Sequence, residues 1–246
     1  MTDDILIYVL VGFAAQMIDG ALGMAYGVSS TTFLLSTGVG PAMASASVHM
    51  AEVFTTLVSG LSHLRFGNVD RSLFRRLLIP GVLGGVLGAY VLSELPGDKI
   101  KPYVALYLLL MGLRILWKAV RRRSESARLV KHVFPLGLMG GFFDAIGGGG
   151  WGPIVTSTLV ANGHNPRISV GSVNLAEFFV TFSQSVVFLI TIQLTNWQII
   201  AGLIIGGVIA APLAALVCHK LSPRKLMVAV GMLIVVLSLR TLALTF

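Results

Sequence analysis

The sequence predicts an all-α polytopic membrane protein built as two inverted four-segment repeats. Each repeat is expected to be a broken, re-entrant helical hairpin followed by three transmembrane helices. Three observations lead there: the composition, an internal repeat, and the distribution of positive charge.

Of 246 residues, 55% are hydrophobic and only 11% are charged, and mean hydropathy is +0.88. A soluble domain carries about 25% charged residues. Apolar runs such as 77–92 (LLIPGVLGGVLGAYVL), 103–117 (YVALYLLLMGLRILW) and 226–239 (LMVAVGMLIVVLSL) recur with short polar breaks. With their flanks they reach the roughly 20 residues a helix needs to cross a bilayer. The net charge of +8 implies no nucleic-acid partner, because basic residues of a membrane protein gather in cytoplasmic loops. The MTDD start is acidic where a cleavable signal peptide would be basic, so none is expected. A single cysteine, Cys218, excludes an internal disulfide, and the histidines at 49, 63, 132, 164 and 219 show no metal spacing. No HExxH, P-loop or GxSxG occurs, so no metal, cofactor or catalytic residue is expected.

The chain is written twice. A shift of 125 positions lays Asp19 on Asp144, Gly23 on Gly148, Tyr26 on Trp151, Gly27 on Gly152, Pro41 on Pro166, Ser47 on Ser172, Glu52 on Glu177 and Thr56 on Thr181. A shift of 126 lays Lys99 on Lys225 and Arg114 on Arg240. Such agreement at uncommon residue types marks an internal repeat. The halves are 1–117 and 133–246, joined by a basic linker at 118–132. The apolar segments are 5–35, 41–64, 73–93 and 100–118, then 133–161, 166–192, 197–217 and 224–245. The first of each half is unusually long and is cut by glycines, as "DGALGMAYG" at 19–27 and "DAIGGGGWGP" at 144–153.

Two topologies fit eight segments. Either all cross and the halves point the same way, or the first of each half turns back and the halves are inverted. The loop at 65–76 holds Arg65, Arg71, Arg75 and Arg76, and the linker holds six Lys or Arg, so both are expected in the cytoplasm. The charge-balanced 94–101 loop is expected outside. Lys220, Arg224 and Lys225 against the uncharged "QLTN" at 193–196 then favour the inverted arrangement, with the basic loop inside and the neutral turn outside.

A hairpin turning at mid-membrane frees backbone N–H and C=O groups. These are tolerated only where protein buries them or they line a watery cavity. Glycine permits the turn and lets a ligand approach the chain. A helix starting near Trp151–Pro153 would present N–H groups and a positive dipole end there, an anion site of the kind inverted repeats build at the midplane. Gly148, Gly149, Gly150, Trp151 and Gly152 are therefore candidate substrate contacts, with Tyr26 as the aromatic of the first hairpin. Gly84, Gly85, Gly88, Gly206 and Gly207 read instead as helix-packing positions.

Four acids lie inside apolar segments as two repeat-related pairs, Asp19 with Asp144 and Glu52 with Glu177. Ionisable groups at membrane depth are costly and point to function. They are candidate coupling or structural carboxylates; Asp19 and Asp144, just before the glycines, can equally cap the freed N–H groups. Glu52 and Glu177 stand three residues after His49 and Asn174, so each pair shares a helical face. His49, Asn174 and Gln184 are candidate side-chain contacts. Arg114 and Arg240 could attract an anion, though both lie near helix ends and suit snorkelling to the interface.

The sequence resembles the TauE/SafE family of sulfite exporters and sulfonate permeases. The resemblance rests on the two homologous halves, the Gly147–Pro153 loop, "GSVNLAEFF" after "NPRISV", and "GLIIGGVIAAPLAA" in the seventh segment. It covers essentially the whole chain. It implies a secondary transporter of a small sulfur-containing anion, such as sulfite, a sulfonate or sulfoacetate, in a prokaryotic cytoplasmic membrane. Coupling would come from a proton, an ion or the membrane potential. A permease for another small anion such as a carboxylate, and a channel or scaffold without alternating access, stand as alternatives.

Overall fold

A computed structural model describes residues 5–120, 132–217 and 223–245. The linker residues 121–131 and the loop 218–222, which carried part of the charge argument, lie outside the described residues. Among the described residues there are helices and no strand. The first half contains α1 (Ile5–Leu22), α2 (Tyr26–Ser36), α3 (Pro41–Arg65), α4 (Arg71–Glu94) and α5 (Gly97–Val120). The second contains α6 (Val133–Gly147), α7 (Ser157–Ala161), α8 (Pro166–Thr191), α9 (Trp197–Val217) and α10 (Pro223–Ala243). A π-type turn, Gly152–Thr156, leads directly into α7.

Local chemistry sets the boundaries. Pro41 and Pro166 open α3 and α8, where a missing N–H costs nothing. The Asp70 and Asn165 side chains cap the first N–H groups of α4 and α8. α6 ends at Gly148 in the left-handed region, φ 61°, a conformation glycine adopts without penalty.

Among the described residues, three helices, α4, α5 and α8, are long and apolar enough to cross a membrane by length and composition. α3, one residue longer than α4, falls outside that group, and Ser45, Ser47, His49, Glu52, Thr55 and Thr56 along it are all buried. The outer faces are apolar: Leu83, Leu87 and Tyr90 on α4 and Phe182, Leu189 and Ile190 on α8 are exposed. That inside-out distribution suits a lipid surround.

Packing exchanges the halves. α1 lies along α9 and its counterpart α6 lies along α4, while α3 packs on α8 and α5 on α10. Small residues make the approaches close. Gly84 meets the backbone of Leu138, Gly88 that of Phe142, and Gly206 that of Val9. The repeat-related helices pass in opposite directions. On α5 and α10, Gly112 lies against Ile234 and Leu116 against Gly231. On α3 and α8, Ser59 bonds Asn174 near one end, while His49 lies beside Phe188 near the other.

α6 and α8, by contrast, both follow α4 in its own direction. Along α6, Gly137 meets Pro80, Gly141 meets Gly81, and Ala145 meets Gly88. Along α8, Ser172 bonds Asp70, Val180 meets Gly81, and Thr191 bonds Ser93. The chain between α6 and α8 must therefore double back, and residues 148–165 are where it does so.

Candidate functional site

The two glycine breaks meet face to face. The Gly149 Cα lies so close to Gly27 that a Cβ on Gly27 would stand 2.6 Å from it. A Cβ on Gly149 would stand 2.2 Å from the Val28 nitrogen, and Gly149 also holds φ 151°. No other residue fits there. Thr31 Oγ1 donates to the Gly148 carbonyl at 2.6 Å, tying α2 to the second break. Tyr107 on α5 donates to the Gly149 carbonyl at 3.4 Å.

Beside the second break, Asp144 gathers four donors. Its Oδ1 accepts the Gly150 N–H at 2.7 Å and the Trp151 N–H at 2.9 Å. Its Oδ2 lies 3.1 Å from His49 Nε2 and accepts from Gln184 Nε2 at 3.1 Å. Asp144 is 1% exposed and His49 0%, so charge can persist there only because it is matched. The Gln184 amide is oriented by the Gly141 carbonyl, which only accepts, at 3.2 Å. His49 Nδ1 faces the Ser45 carbonyl at 2.7 Å and so carries a hydrogen. The Nε2–Oδ2 contact then needs a further proton. One proton therefore bridges His49 Nε2 and Asp144 Oδ2.

The first break uses the same bond more sparsely. Asp19 accepts the Tyr26 N–H at 3.4 Å, the counterpart of the Trp151–Asp144 bond. Gly27, the next residue of α2, lies against Glu52: a Cβ added there would stand 2.9 Å from Oε1. The other Glu52 oxygen, Oε2, has no hydrogen-bond partner although the residue is 3% exposed; it stands 3.9 Å from His49 Nε2.

A small cavity of about 10 Å³ separates the breaks, room for about one water. Asp19, Tyr26, Glu52, Asp144, Gly149, Gly150, Gly152 and Glu177 all border it, with no lysine or arginine among the lining residues. Gln184 stands beside Gly85, which places the cluster ~21 Å along α4 from Arg71 and ~14 Å from Glu94, at 1.5 Å per residue. The larger opening, about 330 Å³ between Arg75, Arg76, His132 and Phe134, lies at the start of α4 and α6, away from this cluster.

Several expected contacts sit elsewhere. The Trp151 ring packs over Gly81 and its Nε1–H bonds the Val173 carbonyl at 3.1 Å; only the backbone of Trp151 reaches the cluster. Asn174 donates to Ser59 at 2.8 Å rather than toward the breaks. Arg114 donates to Thr158 beside α7 at 3.3 Å, and Arg240 donates to the Ser36 carbonyl at the end of α2. Both arginines hold the outer ends of the return segments. Four of the N–H groups expected to be free are occupied by Asp144: those of Gly148 and Gly149 by its carbonyl, and those of Gly150 and Trp151 by its carboxylate. Thr31, Ser45 and Tyr107 were not foreseen; the buried "SSTT" of α2 and the one-turn spacing of Ser45 from His49 are the signals that could have found the first two.

Residues 8–241 match the family described as sulfite exporter TauE/SafE. The chain belongs to that family. A probable membrane transporter protein of Bacillus subtilis strain 168, YtnM, is 45% identical over 247 aligned positions, spanning 97% of this chain and 82% of the relative. A second from the same strain, the probable membrane transporter protein YunE, is 21% identical over 262 positions, 94% of each chain. No solved structure matches. Membership of the TauE/SafE family places the chain among multi-pass membrane transport proteins, and the match runs through both halves and both breaks.

Proposed function

We propose that the protein is a secondary transporter of a small sulfur-containing anion, such as sulfite, a sulfonate or sulfoacetate, in a prokaryotic cytoplasmic membrane. The anion binds where the two broken segments meet. The halves are inverted repeats whose hairpins enter the membrane and turn back near its middle. Supporting this, repeat-related helices run antiparallel, α6 and α8 run parallel, and the breaks meet well inside the length of α4.

One observation carries the site. Two helix starts, at Tyr26 and near Trp151, bring backbone N–H groups to one buried cavity, where each is held by the chain's own carboxylate. Helix N-termini favour anions, and Asp19, Glu52 and Asp144 occupy the positions that oxyanion oxygens would take. A cavity of about 10 Å³ describes a closed centre, which must widen toward one side for an ion to enter. Several modest donors suit an anion that must also leave. The family description supports sulfite or a related sulfur oxyanion, with export as the direction.

The test is counterflow in proteoliposomes preloaded with sulfite, methanesulfonate, sulfoacetate, thiosulfate or acetate. Saturable exchange among the sulfur oxyanions, with acetate excluded, is expected. Preference for acetate would move the substrate to carboxylates. Exchange of none of them would overturn the transport reading.

A further inference from the structure

We propose that Glu52, backed by His49 and Asp144, is a proton-loading site, and that its protonation releases the Gly27 N–H to the anion, so one proton enters the centre with each anion. This rests on the anion site proposed above and assigns its coupling ion.

Electrostatics make an unaccompanied anion costly. Glu52 on α3 is faced by Asp19 on α1, Tyr26 on α2, Asp144 on α6 and Glu177 on α8, with Tyr107 of α5 beyond at Gly149. α9 carries no titratable side chain, and Arg114, Arg240 and Lys118 bond the return segments instead. His49 is committed to Asp144 at 3.1 Å, leaving Asp19, Glu52 and Glu177 with no lysine or arginine among the residues that line the cavity. A further negative ion would add to that cluster in a medium of low dielectric.

Glu52 is the member placed to accept a proton. Its side chain borders the cavity, and its Oε2 is buried and lacks a donor. The nearest proton is the one bridging His49 and Asp144: Nε2 stands 3.9 Å from Oε2 and touches Asp144 at 3.1 Å. A small tilt of the imidazole would carry that proton to Oε2. A proton from solution then replaces it between His49 and Asp144. Neutral Glu52 attracts the N–H of the adjacent Gly27 less than the carboxylate does, because a neutral acceptor lacks charge assistance. The anion takes that N–H, and the charge of the centre is unchanged: one negative ion and one proton have entered together.

Linkage sets the measurable signature. If one proton is taken up per anion, the dissociation constant rises tenfold per pH unit wherever Glu52 is ionised before binding, and levels off where it is already protonated. Methanesulfonate, a strong acid that does not itself carry the proton, and sulfite serve as probes with the full-length protein in detergent. Calorimetry in buffers of different ionisation enthalpy should count close to one proton absorbed per methanesulfonate bound. Glu52→Gln, which mimics the protonated acid, should give an affinity that no longer changes with pH, and Glu52→Asp should keep the dependence. The buffer measurement needs no variant and decides the matter even if Glu52→Gln does not fold. Anion binding with no proton uptake and no pH dependence overturns the proton site while leaving anion transport standing. Affinity set by sodium concentration rather than pH overturns it in favour of a metal cation. Failure of every anion to bind or exchange overturns the anion site and this inference with it.

Discussion

His49 on α3 and Asp144 on α6 meet at 3.1 Å, a buried contact that joins the two halves of the chain at the point where the second hairpin turns. The same carboxylate holds the first N–H groups of the return segment. One side chain therefore shapes the break and anchors it to the opposite half. Removing either partner leaves the other charged group buried and unmatched. Asp144→Asn or His49→Ala should each cost about 3–5 kcal/mol, read as a fall in unfolding midpoint in detergent. The double variant should cost less than the sum, because the two share one interaction. Additive losses would mean that the contact contributes no coupling.

Gln184 completes the pair from α8. Gln184→Leu keeps most of the volume but removes a donor from Asp144 and from the Gly141 carbonyl. A loss of about 1–3 kcal/mol is expected for leaving buried acceptors short. Gly40→Ala, where an added Cβ meets nothing within 4 Å, should change the midpoint little. Equal midpoints for Gln184→Leu and wild type would show that Asp144 does not need this donor.

Arg114 and Arg240 are expected to act through structure. Each bonds the outer end of a return segment, at Thr158 and at Ser36, and neither borders the central cavity. Arg114→Ala should lower the unfolding midpoint through loss of a charged hydrogen bond, about 1.5–3 kcal/mol, while leaving the dissociation constant for methanesulfonate within a factor of about three, under 0.7 kcal/mol. A tenfold loss of affinity with an unchanged midpoint would return this arginine to the substrate path.

Much of this arrangement was legible in the chain because it rests on local signals. The glycine runs beside Asp19 and Asp144 marked both breaks, and Pro41 and Pro166 marked the helices that follow them. The pairing of Glu52 with Glu177 emerged from the repeat alone. What could not be read were partners chosen by tertiary packing. His49 and Gln184 reach Asp144 from 95 and 40 residues away, and Gln184 does so on a helix that packs against Gly81 and Gly85 of α4. Trp151 read as a substrate contact, but Gly81 leaves a slot that its ring fills. Asn174 shares a helical face with Glu177, yet Ser59 on the antiparallel α3 takes its amide. The arginines carried an ambiguous signal, since a residue near a helix end can serve the interface, a substrate or a neighbouring carbonyl.

Inversion of the halves has its own test in two exposed turns. Gly67 lies between α3 and α4, and Thr195 between their counterparts α8 and α9. In a Cys218→Ser background, Gly67→Cys should react with a membrane-impermeant maleimide only from the cytoplasmic side, and Thr195→Cys only from outside. Labelling of both from the same side would mean that the halves point the same way.

The central claim is that a small sulfur oxyanion crosses through the meeting point of the two breaks. Sulfite flux in proteoliposomes, compared between wild type and Gly149→Val, tests it most directly. A Cβ at Gly149 would meet the Val28 nitrogen at 2.2 Å in a backbone conformation that side chains rarely adopt, so the breaks could no longer close on one another. Saturable wild-type flux competed by methanesulfonate is predicted, with at least a tenfold loss in Gly149→Val at an unchanged elution volume in gel filtration. Wild-type flux no faster than in protein-free liposomes, or full flux in Gly149→Val, would contradict the account.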